Sequence, residues 1–150
     1  MLKIAIGTDH RGFDHKNVIQ NAVSVEVKHI EWLDVGCFSK ERTDYPPYAL
    51  EVVKLIQDKK ADLGILLCGT GIGMAIAANR FEGMFAGVVW DAITAQRAKE
   101  EDNVNILVLP ADFITPEQAV QLVMIWLNAQ FKGDRYQKRI EMINKWSGLK

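Results

Sequence analysis

Six consecutive residues, Cys68-Gly69-Thr70-Gly71-Ile72-Gly73, join a thiol to three glycines. Glycines let backbone amides turn toward a ligand without side-chain obstruction. A helix starting inside such a loop adds unpaired N–H groups and the positive end of a dipole. Together they can hold a phosphate, a carboxylate or a transient oxyanion. The same amides lower the pKa of a neighbouring thiol, which makes Cys68 a candidate nucleophile or base. A plainer reading stands beside this one: a tight turn after a buried cysteine, cysteine being among the most buried residue types. The run is not a nucleotide fingerprint. Met74 sits where the third glycine of G-x-G-x-x-G belongs, and no G-K-[ST] ending follows.

Two further sets of residues have chemical potential. Asp9-His10 closes the apolar stretch Lys3-Ile4-Ala5-Ile6-Gly7. A carboxylate there can move a proton or hold a sugar hydroxyl, and an imidazolium can bind phosphate. Helix capping by Asp9 or Thr8 accounts for one of these residues but not for the pair. Arg135 and Arg139 stand four apart on a helical pattern and so share a face. Two guanidiniums on one face suit a phosphate; a solvated face pairing with Asp134 or Glu141 is the alternative.

These residues need a scaffold, and the pattern of the chain supplies one. Strands are expected at Lys3–Gly7, within Val25–Val35, at Asp62–Cys68, Phe85–Trp90 and Asn105–Pro110. Helices are expected at Phe13–Ser24, Tyr48–Lys59, Gly71–Phe81, Ile93–Glu101, from Thr115 onward and at Arg135–Trp146. Thr115-Pro116-Glu117 is a helix start, with a capping threonine and proline at the first helical position. Five alternations of strand and helix predict a Rossmann-like, doubly wound, five-stranded parallel sheet with helices on both faces. Ligands in such sheets bind beyond the carboxyl ends of the strands, which is where Asp9-His10 and Cys68–Gly73 fall.

The bulk properties narrow the class. One hundred and fifty residues are expected to form one domain. A net charge of −1, with Lys and Arg spread along the chain, argues against nucleic-acid binding and for a small partner. Cys37 and Cys68 make neither a metal spacing nor a disulfide framework. Free thiols, an N-terminus (MLKIAIG) unlike a signal peptide and the lack of an apolar run of about 20 residues lead to the expectation of a cytoplasmic protein with no membrane partner.

The segments IGTDHRGFDHK, ERTDYP, GILLCGTGIGMAIAANR, the N-x-N-I-L strand and the terminal R-x-x-x-R together resemble the family of type B ribose-5-phosphate isomerases and galactose-6-phosphate isomerase subunits. The resemblance covers essentially the whole chain. It implies interconversion of aldose and ketose phosphates, most directly ribose 5-phosphate and ribulose 5-phosphate, with no metal and no cofactor. It implies Cys68 as the base that moves a proton between C1 and C2. Gly69, Gly71, Ile72 and Gly73 would form the anion hole around the enediolate, with Thr70 assisting proton transfer. Asp9 would contact substrate hydroxyls; His10, Arg135 and Arg139 would hold the phosphate; Tyr45 and Asn79 would line the pocket. A homodimer or tetramer is implied, its site lying between subunits and a C-terminal helix at about 134–147 reaching the partner.

Two departures bear on the substrate. The family's ring-opening histidine usually stands in an H-N-x-x-N pattern, aligned here with Glu101-Asp102-Asn103-Val104-Asn105. Glutamate replaces the histidine and aspartate the asparagine, as in the K-E-E-x-N-x-N of the galactose-6-phosphate subunits. Pro110-Ala111-Asp112 stands where ribose-5-phosphate isomerases usually read G-x-R, so Asp112 inverts a charge expected near phosphate. Glu101 is then the candidate ring opener, with Asp102 beside it. A tetrose 4-phosphate, whose O4 is esterified, cannot close a furanose and needs no opener, so a four-carbon sugar phosphate is an alternative substrate, as is a galactose or allose 6-phosphate. Two rival classes remain: a nucleotide-binding module, which would need glycines where the chain has Thr8-Asp9-His10-Arg11, and a relative that binds sugar phosphate without turning it over.

Overall fold

The computed structural model describes residues 1–146. Five parallel strands form one sheet: β1 (Leu2–Thr8), β2 (Ile30–Gly36), β3 (Leu63–Cys68), β4 (Ala86–Val88) and β5 (Ile106–Pro110), in the order β2-β1-β3-β5-β4. The three middle strands are almost continuously apolar because both faces of the sheet are covered. Alternate residues serve alternate faces. Ile4, Ile6, Ile65, Leu67, Leu107 and Leu109 join one core. Ala5, Leu66, Ile106 and Val108 join the other.

Six helices connect or follow the strands: α1 (Phe13–Glu26), α2 (Pro46–Gln57), α3 (Ile72–Ala78), α4 (Ala92–Glu100), α5 (Pro116–Asn128) and α6 (Asp134–Asn144). Residues of α1, α4 and α5 complete the first core. Residues of α2 and α3 complete the second. The expected start of α5 is present in full. Thr115 Oγ1 accepts from Gln118 N–H, the Gln118 side chain accepts from Thr115 N–H, and Pro116 occupies the first turn. Asp91 and Thr94 make the same reciprocal box for α4.

Several boundaries differ from expectation, each for a local reason. β4 has three residues rather than six. Beyond it, the N–H groups of Trp90 and Asp91 both go to Thr94 Oγ1, which commits the chain to the α4 cap. The free edge of β4 is closed by Asn79, whose Oδ1 accepts from Ala86 N–H at 2.8 Å and whose Nδ2 donates to Ala86 O at 2.9 Å. α2 begins two residues before the expected Tyr48, because Pro46 suits the first helical position. α3 stops at Ala78, where Arg80 and Phe81 tighten into three-residue bonds to Ala77 and Ala78. α6 ends at Asn144 rather than near 147; Lys145 and Trp146 form a turn, and position 147 lies outside the described residues.

One buried contact ties this scaffold to the residues ahead of β5. Trp126 of α5 is fully buried, and its Nε1 donates to Val104 O at 3.1 Å. Trp126→Phe keeps the apolar contact but leaves that carbonyl unpaired in the core. The expected cost is about 2 kcal/mol, read as a fall in Tm of roughly 4–8 °C by scanning calorimetry.

Candidate active site

Parallel pairing of β1 with β3 sets Thr8 beside Leu67, so the two chains leave the sheet together. Asp9 N–H still donates to Leu67 O at 3.3 Å. Asp9 then caps a short 3-10 turn, His10–Gly12, its Oδ1 accepting from Arg11 N–H at 3.0 Å. The expected capping role is therefore real, and it leaves the second carboxylate oxygen of Asp9 uncommitted to the turn. Next door, β3 ends at Cys68, which is 5% exposed, and the loop Gly69–Gly71 leads into α3.

Each glycine of that loop is required for a different reason. Gly71 sits at φ +78°, a left-handed conformation that disfavours any side chain. At Gly73 a Cβ would lie 2.5 Å from Tyr45 Cζ, so the tyrosine ring packs directly on the helix start. At Gly69 a Cβ would lie 2.7 Å from Asp112 Oδ2 and 2.8 Å from Arg11 Cδ. The loop's carbonyls are occupied: Ala111 N–H donates to Cys68 O and Asp112 N–H to Gly69 O. Thr70 Oγ1 accepts from Ile72 N–H at 3.2 Å, and Ile72 and Thr70 are both exposed. The next amides of α3 precede its first bond, Ala75 N–H to Gly71 O, and belong to the unpaired helix start.

The remaining walls come from the loop after β2. Thr43 N–H donates to His10 Nδ1 at 3.2 Å. His10, Arg11, Arg42, Thr43, Asp44 and Tyr45 enclose an open pocket of about 340 Å³. Asp112, read from the sequence as an inverted charge, is neutralised by Arg11, whose Nη1 donates to Asp112 Oδ2 at 2.7 Å. Cys37, the other thiol, is buried as well. Burial pushes its pKa up and its Sγ–H donates to Ser39 O, so it stays protonated. Below it the buried Lys16 holds Asp34 Oδ2 at 2.6 Å, while Asp34 Oδ1 accepts from Gly36 N–H and pins the end of β2.

The other predicted site residues gather at the opposite edge of the sheet. Ile106 pairs with Gly64 and Pro110 with Cys68, so Glu101 and Asp102 precede β5 at the end where the strands begin. That edge lies about 13 Å from Cys68 along β3, at ~3.3 Å per residue. Lys132 joins it by an ion pair with Glu100, which brings α6 alongside. Burial raises the pKa of Asp102; the nearby Glu101 charge raises it further and Arg139 lowers it. Arg135 and Arg139 both lie over the Tyr136 ring, at 4.7 and 5.5 Å. Asn79, Phe85, Asp102 and Ile143 share a pocket of about 390 Å³ at this edge. Within one chain, then, Asp9, His10, Tyr45, Cys68, Thr70 and the glycines are brought together. Glu101, Asp102, Asn79, Arg135 and Arg139 form a second group apart from them.

Arg42 and Thr43 belong to the polar segment Glu41–Pro46, whose composition allows either a pocket rim or a plain crossover, and Arg11 carries no such signal. Arg42 and Thr43 stand two or three residues before Tyr45, and Arg11 directly follows His10, so proximity to the chosen residues was the available signal. Nothing one-dimensional joins Arg11 to Asp112 across 101 positions.

Asp9 is buried at a cost to stability. Burial raises its pKa, the larger effect, against lowering by the Arg11 N–H and by the His10 and Arg11 charges. A carboxyl whose folded pKa is raised contributes stability below its unfolded pKa and loses it as pH rises through the folded value. Asp9→Asn keeps an oxygen for Arg11 N–H and removes the buried charge. It is expected to melt at a higher temperature than wild type at pH 7, with the difference vanishing once the pH falls below about 3.9, the ordinary Asp value.

The fold recurs among known proteins. Residues 4–143 match the family model described as Ribose/Galactose Isomerase. Ribose-5-phosphate isomerase B of Escherichia coli (strain K12) is 41% identical over 95% of each chain. D-erythrulose-4-phosphate isomerase of Pectobacterium atrosepticum is 38% identical over 95% of this chain and 93% of its own. The crystal structure of ribose-5-phosphate isomerase B from Mycoplasma genitalium with bound ribulose-5-phosphate superposes with a TM-score of 0.91 at 34% identity, over 99% of this chain and 98% of that one. With its five parallel strands, its cysteine–glycine loop at their carboxyl edge and these relatives along its full length, the chain belongs to the ribose/galactose isomerase family.

Proposed function

We propose that the protein is an aldose–ketose isomerase of a sugar phosphate, with ribose 5-phosphate and ribulose 5-phosphate as the pair. The observation that carries this reading is the placement of Cys68 and its glycine loop beside Asp9 and His10 at one sheet edge. In the forward direction the Cys68 thiolate takes the C2 proton of the open-chain aldose. The C–H electron pair becomes the C1–C2 double bond and the aldehyde oxygen becomes an enediolate oxyanion. Amides of the Gly69–Gly73 loop and the α3 start meet that charge as it develops, each donor lowering the barrier by about 3 kcal/mol. The thiol returns the proton to C1, and Thr70 helps pass the hydroxyl proton from O2 to O1. Asp9 holds substrate hydroxyls, Tyr45 walls the pocket, and His10 takes the phosphate; orientation of C1 and C2 over the thiolate follows from holding both ends.

The division of residues between two edges supports a site shared by two copies. A symmetric pair can bring the Glu101, Asp102, Asn79, Arg135 and Arg139 edge of one chain to the Cys68 edge of its partner. Glu101 then opens the sugar ring and the two arginines share the phosphate. The exposed apolar side chains Ile72 and Ile76 of α3, with Trp90 and Ile93 near the α4 start, are available to cover each other in such an assembly. Among the described residues no helix is long and apolar enough to cross a membrane. A four-carbon substrate is the second reading. The relative at 38% identity named for D-erythrulose 4-phosphate favours it, as does Glu101 in place of a histidine.

The test is an isomerisation panel of four-, five- and six-carbon sugar phosphates, with proton exchange at C2 followed by NMR in deuterated water. Cys68→Ala is expected to lower turnover by about 10²–10⁴-fold, the usual contribution of a positioned base. Activity surviving in Cys68→Ala overturns the assigned base. Absence of C2 exchange with every member of the panel makes the protein a binder rather than an isomerase.

A further inference from the structure

We infer that Arg11 is a movable anion-binding arm, parked on Asp112 and transferred to the substrate's phosphate when it enters the pocket beside His10. The inference deepens the proposed function and rests on it for the identity of the anion.

Three features of the pocket carry it. First, its lining of His10, Arg11, Arg42, Thr43, Asp44 and Tyr45 sets two guanidiniums and an imidazole against a single acid. Arg42 is exposed and makes no ion pair among the described residues. Second, His10 is anchored through Nδ1, which lies within hydrogen-bond reach of both Thr43 N–H and Thr43 O, and its Nε2 has no partner among the described residues. In the neutral tautomer whose Nδ1 accepts from Thr43 N–H at 3.2 Å, the proton sits on Nε2. When charged, Nδ1 donates to Thr43 O, 3.3 Å away, and Nε2 keeps its hydrogen.

Third, the Arg11–Asp112 bridge is built to open. It is one contact, Nη1 to Oδ2 at 2.7 Å, between side chains 54% and 37% exposed. Exposed single-contact bridges are weakly held. A phosphate monoester offers more negative charge than Asp112 and several oxygens for the guanidinium fork, a stronger match. The root of Arg11 does not have to move, because its backbone N–H is held by Asp9 Oδ1 at 3.0 Å. Arg11 Cδ and Asp112 Oδ2 also lie over the Gly69 Cα, so the parked bridge covers the start of the loop that follows Cys68. Transfer of Arg11 to the anion therefore removes one of the two groups that cover that loop as the substrate arrives. Asp112 competes with substrate for the same cation, which makes it a negative determinant of affinity rather than a neutral neighbour.

Arg11→Met, Asp112→Asn and the double variant test this by steady-state isomerisation of ribose 5-phosphate and by titration with inorganic phosphate, followed by ³¹P NMR. Both side chains are exposed, and thermal melting of each variant checks that the fold is kept. Arg11→Met is expected to raise KM and weaken phosphate binding about tenfold, with kcat falling much less. Asp112→Asn is expected to do the opposite, lowering KM and tightening phosphate about two- to threefold. In the Arg11→Met background Asp112→Asn is expected to have no effect. The inference is overturned if Arg11→Met leaves KM and phosphate binding within twofold of wild type. It is also overturned if Asp112→Asn weakens binding, or if the two effects simply add. If no variant, wild type included, isomerises any sugar phosphate while phosphate binding still follows this pattern, the arm stands and the isomerase reading fails.

Discussion

All five strands run the same way, and this one constraint decides where chemistry can occur. Parallel pairing sends every carboxyl end to one edge of the sheet and every start to the other. The middle position of β3, between β1 and β5, then sets Cys68 among the tails of two neighbours. β1 contributes Asp9 and His10 on one side, and β5 contributes Ala111 and Asp112 on the other. The reversal of winding between β1 and β3 leaves the crevice in which ligands of such sheets bind. The hydrophobic cores on the two faces hold this arrangement, and Cys68 and Tyr45 themselves pack into the second.

The crevice is polar and locally costly. Asp9 is buried with its pKa raised, Gly71 holds a left-handed backbone, and Lys16 is buried against Asp34 beneath the Cys37 turn. Asp9 accepts from Arg11 N–H, and Lys16 holds Asp34 while its ammonium lies over the Phe38 ring. Buried charge at a candidate site is expected where function competes with stability. The two thiols show the contrast. Both are 5% exposed; Cys37 donates to a carbonyl, while Cys68 stands at a glycine loop and a helix start.

Local features of the sequence were read well because they depend on neighbours. The apolar runs of β1, β3 and β5, the Thr115-Pro116 helix start and the glycine loop all act within a few residues, and all appear where expected. Long-range partnerships were not legible. Arg11 with Asp112, Asn79 with the Ala86 backbone and Trp126 with Val104 join positions that no periodicity connects. Asp112 illustrates the consequence. As a letter it inverts a charge, whereas in space that charge is already answered by Arg11. The shortness of β4 has the same origin, since the Thr94 hydroxyl that ends it belongs to the next helix.

The central claim is that one chain carries two incomplete halves of a site, Cys68 at one edge and Glu101 with Arg135 and Arg139 at the other. Subunit complementation tests it most directly. Cys68→Ala and the double variant Arg135→Ala/Arg139→Ala are each purified, confirmed to be inactive, then unfolded and refolded together. If each site draws on two chains, half of the randomly formed dimers are hybrids and each hybrid holds one intact site, so about a quarter of wild-type activity returns. Recovery of no activity in mixtures shown to contain hybrids would contradict the account and confine the chemistry to a single chain.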